Sequence, residues 1–494
     1  MSVVNSVDEQ SVLSFNVPCF NFKSDELVVV IKKMVSRFKE DFSIFFDYEY
    51  KGVGRRKKYF DDELLGFVIY AISDRKLSCR EMSEWTYHND NRVNYLLNFK
   101  TPSKSLINNF ILEKSWLIEA FFVYIVRFGV DNDLIDGECV FNDGTIFKAD
   151  ANKFRLIKIE EIEFIENLIK DYGFDNSKNS IWYKLRRYYY NNKEDSEITD
   201  LINRISNNLN KEPFKLLFVA LNSKEDRNYI MELLNVLKSN YDGEHTISLT
   251  DPESRWMKDK KKVCGLNYNY QASVDSKNGF IIAQCLTQNP TDHNELLKMV
   301  KLSKHFLGFK PRVVVADNIY LQDYLLEWAK EKDIRVNIPD RAESTKSKQK
   351  NNQTYAKHNF HYIFEMDCYI CPENQILYRK KDRKQKEVLY YVYSTDKCKS
   401  CPLHGGCTKS RVREILDVAN PLRKELKQYY LSPEGQKYYK KRAPINEGVF
   451  GIFKENYQFR ALKRRGIKKA QIDLTIRAII HNLKKISKLQ TPIL

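Results

Sequence analysis

Two aspartates stand where short apolar runs give out. Val140-Phe141 leads through Asn142 to Asp143, in the stretch Val140-Phe-Asn-Asp-Gly-Thr-Ile-Phe147, and Val313-Val-Val-Ala316 leads directly into Asp317. Runs of this length and β-branched content predict buried strands. An ionised carboxylate at the end of a buried strand is unfavourable unless something neutralises it, and a divalent cation is the usual reason to keep several together. A third acid, Glu447, lies in Pro444-Ile-Asn-Glu-Gly-Val-Phe-Gly-Ile-Phe-Lys454. It is expected in the first turn of a helix, because Pro444 reads as a helix start and biases Ala443 away from helical geometry. Singly, each acid is an ordinary turn or cap residue.

The order of elements between the acids decides whether they can meet. After the strand carrying Asp143, residues 156–245 are polar and helical in period, and read as a helical insertion. Strands follow at Asn267–Val274 and Phe280–Thr287, joined by the turn Asp275-Ser-Lys-Asn-Gly279 as an antiparallel hairpin. Asp292 and Glu295 frame a capping box for a helix through Leu307. The strand Val313–Ala316 delivers Asp317, Leu321–Lys332 is helical, and Ile334–Ile338 is a short strand. A mixed sheet of this order sets the first and fourth strands side by side, and a later helix lays its acid across the same edge. This is the ribonuclease-H-like arrangement, and the fold class is therefore expected to be α/β.

Around that core the segments divide as follows. Residues 1–130 read as an all-α N-terminal domain, residues 131–155 and 246–340 as the catalytic core, residues 341–430 as a small Cys-rich insertion, and residues 431–494 as helices completing the core. Ser78 and Glu81 match a capping box, and Thr101-Pro-Ser-Lys-Ser105 opens a helix toward Leu117. Short helices with tight polar turns suit a helix-turn-helix reader with Lys104 and Asn108 near DNA, or a plain helical packing domain. The stretch Ile472–Ile486 is apolar at helical spacing, as a core-facing helix or an oligomer contact.

Composition narrows the partners. Lys and Arg number 82 against 65 Asp and Glu, a formal charge of +17, which attracts polyanions in a salt-sensitive way. The excess gathers in Lys51–Lys58, Arg379–Lys384 and Arg460–Lys469. No run approaches the roughly 20 apolar residues of a membrane-spanning helix, and the N-terminus lacks the pattern of a signal peptide. A bacterial cytoplasmic, nucleoid-associated location is expected. Ten cysteines in so long a chain do not suggest a disulfide scaffold. Cys371, Cys398, Cys401 and Cys407 instead have the pairing of a zinc ribbon, with Cys368 and His404 as substitutes, or they are reduced structural thiols.

At the acids, two Mg²⁺ or Mn²⁺ ions about 4 Å apart activate a nucleophile and stabilise a leaving oxygen in phosphodiester chemistry. Asp143 bridges both ions in this reading, with Asp317 and Glu447 serving one each. Tyr439 and Arg442 close the helix begun at Ser432-Pro-Glu434, and Lys454 lies two turns beyond Glu447, so the three can clamp phosphates. Trp256 reads as packed rather than stacked on a base, and Asp251 and Asp275 as turn residues or acids supporting the site.

The chain resembles the DDE transposases of bacterial insertion sequences, from about Phe60 to Lys488. The resemblance rests on Asp143-Gly-Thr145, Ala149-Asp-Ala-Asn152, Thr250-Asp-Pro-Glu-Ser-Arg-Trp-Met257, Tyr268-Asn-Tyr-Gln271, Ala316-Asp317 and Glu447-Gly-Val-Phe-Gly-Ile-Phe-Lys454. A Tyr-Arg-Glu-Lys signature maps to Tyr439, Arg442, Glu447 and Lys454, with one more residue between the Arg and the Glu than the best-defined version has. The resemblance implies metal-dependent cleavage of double-stranded DNA at terminal inverted repeats and transfer to target DNA, by a homo-oligomer, with the N-terminal helices reading the repeats. A ribonuclease-H-like nuclease without strand transfer, and a DNA-binding protein without catalysis, are the competing functions.

Overall fold

The computed structural model of the 494-residue chain describes residues 20–46, 57–193, 196–241, 243, 246–259, 262–346, 355–456 and 461–489. The basic residues Lys51–Arg56 and Arg460 lie outside them. The chain divides into two compact units, residues 1–114 with 483–494, and residues 115–482.

The described part of the first unit contains α1 (Leu27–Asp41), α2 (Asp61–Ser73), α3 (Cys79–Trp85), α4 (Asn91–Leu97) and α5 (Lys104–Glu113). Helix α2 is buried continuously from Leu64 to Ile72, so the others pack around it. The capping box of α3 forms as expected: Ser78 Oγ accepts from the Glu81 N–H, and the Glu81 carboxylate accepts from the Ser78 N–H. Helix α5 begins behind its N-cap Ser103 and ends at Glu113, short of Leu117. It buries Ile107, Phe110 and Ile111 and leaves Lys104 exposed, with Asn108 partly so.

The second unit opens with α6 (Ser115–Asp131), which the sequence reading had placed with the N-terminal helices. Strand β1 (Cys139–Lys148) follows, then β2 (Leu156–Ile157), α7 (Ile159–Tyr172), α8 (Ile181–Asn191), α9 (Thr199–Asn208), α10 (Lys211–Ala220), α11 (Lys224–Ser239) and β3 (Ile247–Ser248). Strand β3 pairs back on β2, so the five helices leave and re-enter at one point, and they bury a core of their own around Trp182, Ile165 and Leu234. This is the helical segment expected there.

The main sheet then assembles from β4 (Arg255–Lys258), β5 (Cys264–Asp275), β6 (Ile281–Thr287), β7 (Val313–Val315) and β8 (Arg335–Asn337), with α12 (Glu295–Leu307) before β7 and α13 (Asp323–Glu331) after it. Strand β1 is central, antiparallel to β5 on one side and parallel to β7 on the other; β8 lies beyond β7, and β5 carries β4 and β6 along its other edge. A mixed α/β sheet with the Asp143 strand beside the Asp317 strand is thus present. Two local expectations differ. Strand β1 does not stop at Asp143 but runs five residues further, because Thr145, Ile146 and Phe147 continue its pairing with β5. Helix α12 is preceded by Asn294, and Asp292 is not its cap, because two side-chain amides of β5 occupy Asp292 instead.

A second sheet follows α14 (Arg341–Lys346): β9 (His361–Ile363), β10 (Cys368–Ile370), β11 (Ile376–Arg379), β12 (Arg383–Gln385), β13 (Val388–Ser394) and, after the short α15 (His404–Cys407), β14 (Ile415–Val418). It has its own core of Phe360, Tyr362, Tyr369, Leu377, Tyr393 and Ile415. The chain ends with α16 (Pro421–Leu431), α17 (Pro433–Gly451), a π turn at Ile452–Asn456 and α18 (Ile467–Lys488). Ser432 caps α17 as expected, but the helix does not restart at Pro444. Pro444 sits inside it on an exposed face, where the Lys440 carbonyl that loses its i+4 donor can turn to water. No helix among the described residues is long and apolar enough to cross a membrane.

Candidate active site

The register of the sheet brings the two aspartates together. Phe141 of β1 pairs with Val315 of the parallel strand β7. Carried two residues on, that register sets Asp143 abreast of Asp317, one inter-strand spacing of about 4.8 Å away. Cys139, Phe141, Val313 and Val315 alternate onto the face that Tyr438, Tyr439 and Ile445 of α17 cover, so both acids emerge under that helix.

Arg442 of α17 lies between them. One guanidinium nitrogen is 3.5 Å from Asp143 Oδ2 and the other 4.0 Å from Asp317 Oδ2. Its side chain is 13% exposed, deep enough for the cation to matter to two neighbouring carboxylates. Tyr439 lies beneath the same guanidinium, 5.6 Å from ring centroid to Cζ. Burial pushes its phenol above the ordinary range, while Arg442 pulls the other way. Asp317 also caps the single turn that follows β7, accepting from the Asn318 N–H. Lys454 donates to Thr145 Oγ1 at 2.6 Å, two residues along β1 from Asp143 on the same face.

Glu447 is elsewhere. At about 100° per residue, Asn446 stands some 40° from Arg442 round the helix and Glu447 some 140°. The exposures agree: Asn446 is fully buried and Glu447 exposed. The sequence expectation placed Glu447 beside Lys454 on a helix beginning at Pro444, and continuity of α17 through that proline turns it outward. Among the described residues, no group of three His, Cys, Asp or Glu side chains is placed to hold a metal ion. The structure gathers two of the three acids, with a guanidinium between them.

A network not read from the sequence supports Asp143 from behind. Asp292 Oδ1 accepts from Asn269 Nδ2 at 2.7 Å and Gln271 Nε2 at 2.5 Å, and the Tyr320 hydroxyl donates to Gln271 Oε1 at 2.6 Å. Gly144 is what admits this packing, since a Cβ there would stand 2.4 Å from Gln271 Nε2 and 2.5 Å from Asp292 Oδ1. Burial raises the Tyr320 phenol well above its ordinary value, reinforced by Asp292 and Asp143. The signal was available in Tyr268-Asn-Tyr-Gln271, whose polar residues alternate along a strand with no solvent to face.

The other marked residues have structural partners. Asp251, fully buried, accepts from the Tyr268 hydroxyl at 2.9 Å and from the Gly466 N–H at 3.1 Å. Asp275 accepts from the Lys277 and Asn278 N–H groups of its hairpin turn. Trp256 donates its indole N–H to Thr246 Oγ1. Cys371, Cys398, Cys401 and Cys407 line one pocket with His404, and burial raises the Cys407 thiol, with the three other thiols adding to it. Cys371 follows β10, where its sulfur accepts from the Gln375 N–H, while the others lie on a separate turn and helix, so the pocket draws its thiols from two segments of the chain.

Comparison with curated proteins found no match. Residues 370–487 match the family model described as a transposase DDE domain, a stretch holding Tyr439, Arg442, Glu447 and Lys454 but not Asp143 or Asp317. That match supports the resemblance to DDE transposases read from the sequence.

Proposed function

We propose that the chain is an insertion-sequence transposase that binds the ends of its element, cleaves them and joins them to target DNA. The observation that carries this reading is the pairing of Asp143 and Asp317 on adjacent parallel strands under a helix from the matched domain. The strand order, with an antiparallel hairpin on one side of β1 and parallel strands on the other, supports a ribonuclease-H-like core. Asp143 and Asp317, with Glu447 if it were turned toward them, would hold a divalent Mg²⁺ or Mn²⁺, which would supply activation of the attacking oxygen and stabilisation of the leaving one. The chain's own residues do the rest. Arg442 and Lys454 present cations to the phosphates beside the scissile bond, Tyr439 fixes Arg442 from below, and Asp292, Gln271 and Tyr320 hold the Asp143 strand in place. Lys104, open to solvent on α5, and Asn108, partly so, are assigned to terminal-repeat contact, and a homodimer to the assembly that pairs two ends.

Incubation with labelled element ends and a supercoiled target tests this. Joined products are expected, and release of cleaved ends without joining would favour a nuclease. Asp143→Asn and Asp317→Asn are each expected to abolish cleavage while sparing end binding, and full cleavage by either variant would remove the assignment.

A further inference from the structure

The helical segment 156–245 is acidic as a whole, with 13 Lys and Arg against 16 Asp and Glu, but its cations are not spread evenly. Between Asn176 and Lys193 stand five of them, Lys178, Lys184, Arg186, Arg187 and Lys193, and no acid. The remainder of the segment carries 8 cations against 16 acids, so the basic stretch is a feature of one helix, α8, and not of a generally Lys-rich surface.

One face of α8 is fixed. Trp182 and Leu185 are fully buried, the Trp182 indole N–H donates to the Gly173 carbonyl, and Tyr189 meets Phe214 and Phe218 edge-on. Ser180 caps the first turn by accepting from the Tyr183 N–H. The neighbouring face is Tyr183, Arg186, Arg187 and Tyr190, whose spacing of i, i+3, i+4 and i+7 holds them within an arc of about 100°. Both arginines are exposed, and Tyr190 is 56% exposed. The Arg186 guanidinium lies over the Tyr190 ring, 5.7 Å from Cζ to centroid, and that ring also packs on Phe218 at 5.3 Å. Lys184, on the flank, pairs with Glu197, but neither arginine makes an ion pair among the described residues. Two adjacent like charges are thus held on a firmly seated helix with no acid set against them, although the neighbouring helices are rich in acids. Guanidinium groups presented in this way suit phosphate oxygens, and tyrosine hydroxyls beside them can donate to the same groups. The Tyr190 ring is already engaged by Phe218 and Arg186, which favours phosphate contact over base stacking.

We propose that the Tyr183–Tyr190 face of α8 grips the phosphate backbone of duplex DNA, Arg186 and Arg187 each taking a phosphate, and that the grip is independent of base sequence. This rests on the reading of the chain as a protein that acts on DNA. It gives the helical segment between β2 and β3 a task separate from the acids of the sheet and from terminal-repeat contact by α5.

Fluorescence anisotropy of the full chain with two duplexes of equal length, one bearing the element end and one of scrambled sequence, tests it. Arg186→Ala with Arg187→Ala is expected to weaken binding to both by the same factor, on the order of tenfold, and to lower the slope of log affinity against log salt by about 2, one for each phosphate contact. Both side chains are exposed, so the unfolding temperature should not move. Arg186→Lys with Arg187→Lys keeps the charges and is expected to keep the wild-type slope. Unchanged affinity and slope in the alanine pair overturn the proposal, as does a loss confined to the element end, or a lysine pair that behaves like the alanine pair. Failure of the functional reading is a separate result: ends left uncleaved and unjoined by wild type, with the alanine pair still weakening the binding of both duplexes, would remove the transposase and leave this interface standing.

Discussion

A carboxylate inside a protein is only as tolerable as the groups that face it, and the chain shows three solutions. Asp143 and Asp317 share the Arg442 guanidinium. Asp251 takes a phenol and a backbone N–H. Asp275, fully buried at the β5–β6 turn, accepts from the backbone N–H groups of Lys277 and Asn278 and has no salt bridge among the described residues. Burial pushes its pKa up to about 6 from 3.8, with the backbone N–H groups opposing. The sign follows. Between those values the folded state holds a proton that the unfolded chain has lost, so stability falls as pH rises through that window and is level above it. Asp275→Asn is expected to lose this dependence: in paired urea titrations, wild type should gain roughly 2 kcal/mol relative to the variant between pH 7.5 and pH 4.5. A pH-independent difference would place the ionised form in the fold. Asp275 was legible as a turn residue from Asp275-Ser-Lys-Asn-Gly279; its burial was not, because burial depends on β1 and the residues just before it, more than a hundred positions away.

At the scale of elements, periodicity identified nearly every strand and helix of the main sheet, and erred where one element's end depends on another. The proline at 444 reads as a helix start because an isolated chain prefers that; packing of Tyr438, Tyr439 and Ile445 against the sheet keeps the helix continuous. The edge strand β6 shows the same dependence. Its Ile281 N–H donates to Asn482 Oδ1 and its Ile281 carbonyl accepts from Asn482 Nδ2, while Gln284 reaches Thr475 on the same helix, α18. Side chains of α18 thus occupy a strand edge that would otherwise invite pairing with another chain. Asn482→Leu leaves two buried backbone groups unmet and is expected to cost about 2–4 kcal/mol in chemical denaturation. A loss below about 0.5 kcal/mol would mean water replaces the amide. The stretch around it had been read from its apolar spacing as a core helix or an oligomer contact, and the burial of Ile472, Ile476, Ile479 and Ile480 upholds the first.

At the scale of the whole molecule, charge is the property that reaches furthest. A chain of net +17 that contacts several phosphates should lose on the order of 10³-fold in affinity for an end-bearing duplex between 50 and 200 mM salt, read by fluorescence anisotropy. Salt-independent binding would deny the charge its part in DNA recognition. Charge, strand and helix periods, cap residues and the cysteine spacing are local or additive properties, and the sequence by itself determined them. It also determined that Asp143 and Asp317 end up as neighbours, since strand order and the parallel register leave them little choice. What only the tertiary structure decided is the direction of single side chains: that Arg442 lies between the acids, that Asp292 and Tyr320 stand behind Gly144, that the four cysteines line one pocket, and that Asn446 rather than Glu447 is the buried one. A rotation of one residue about a helix axis leaves the hydrophobic period almost unchanged, so the pattern of apolar residues does not say which of Asn446 and Glu447 is buried, and the packing of α17 on β1 and β7 does.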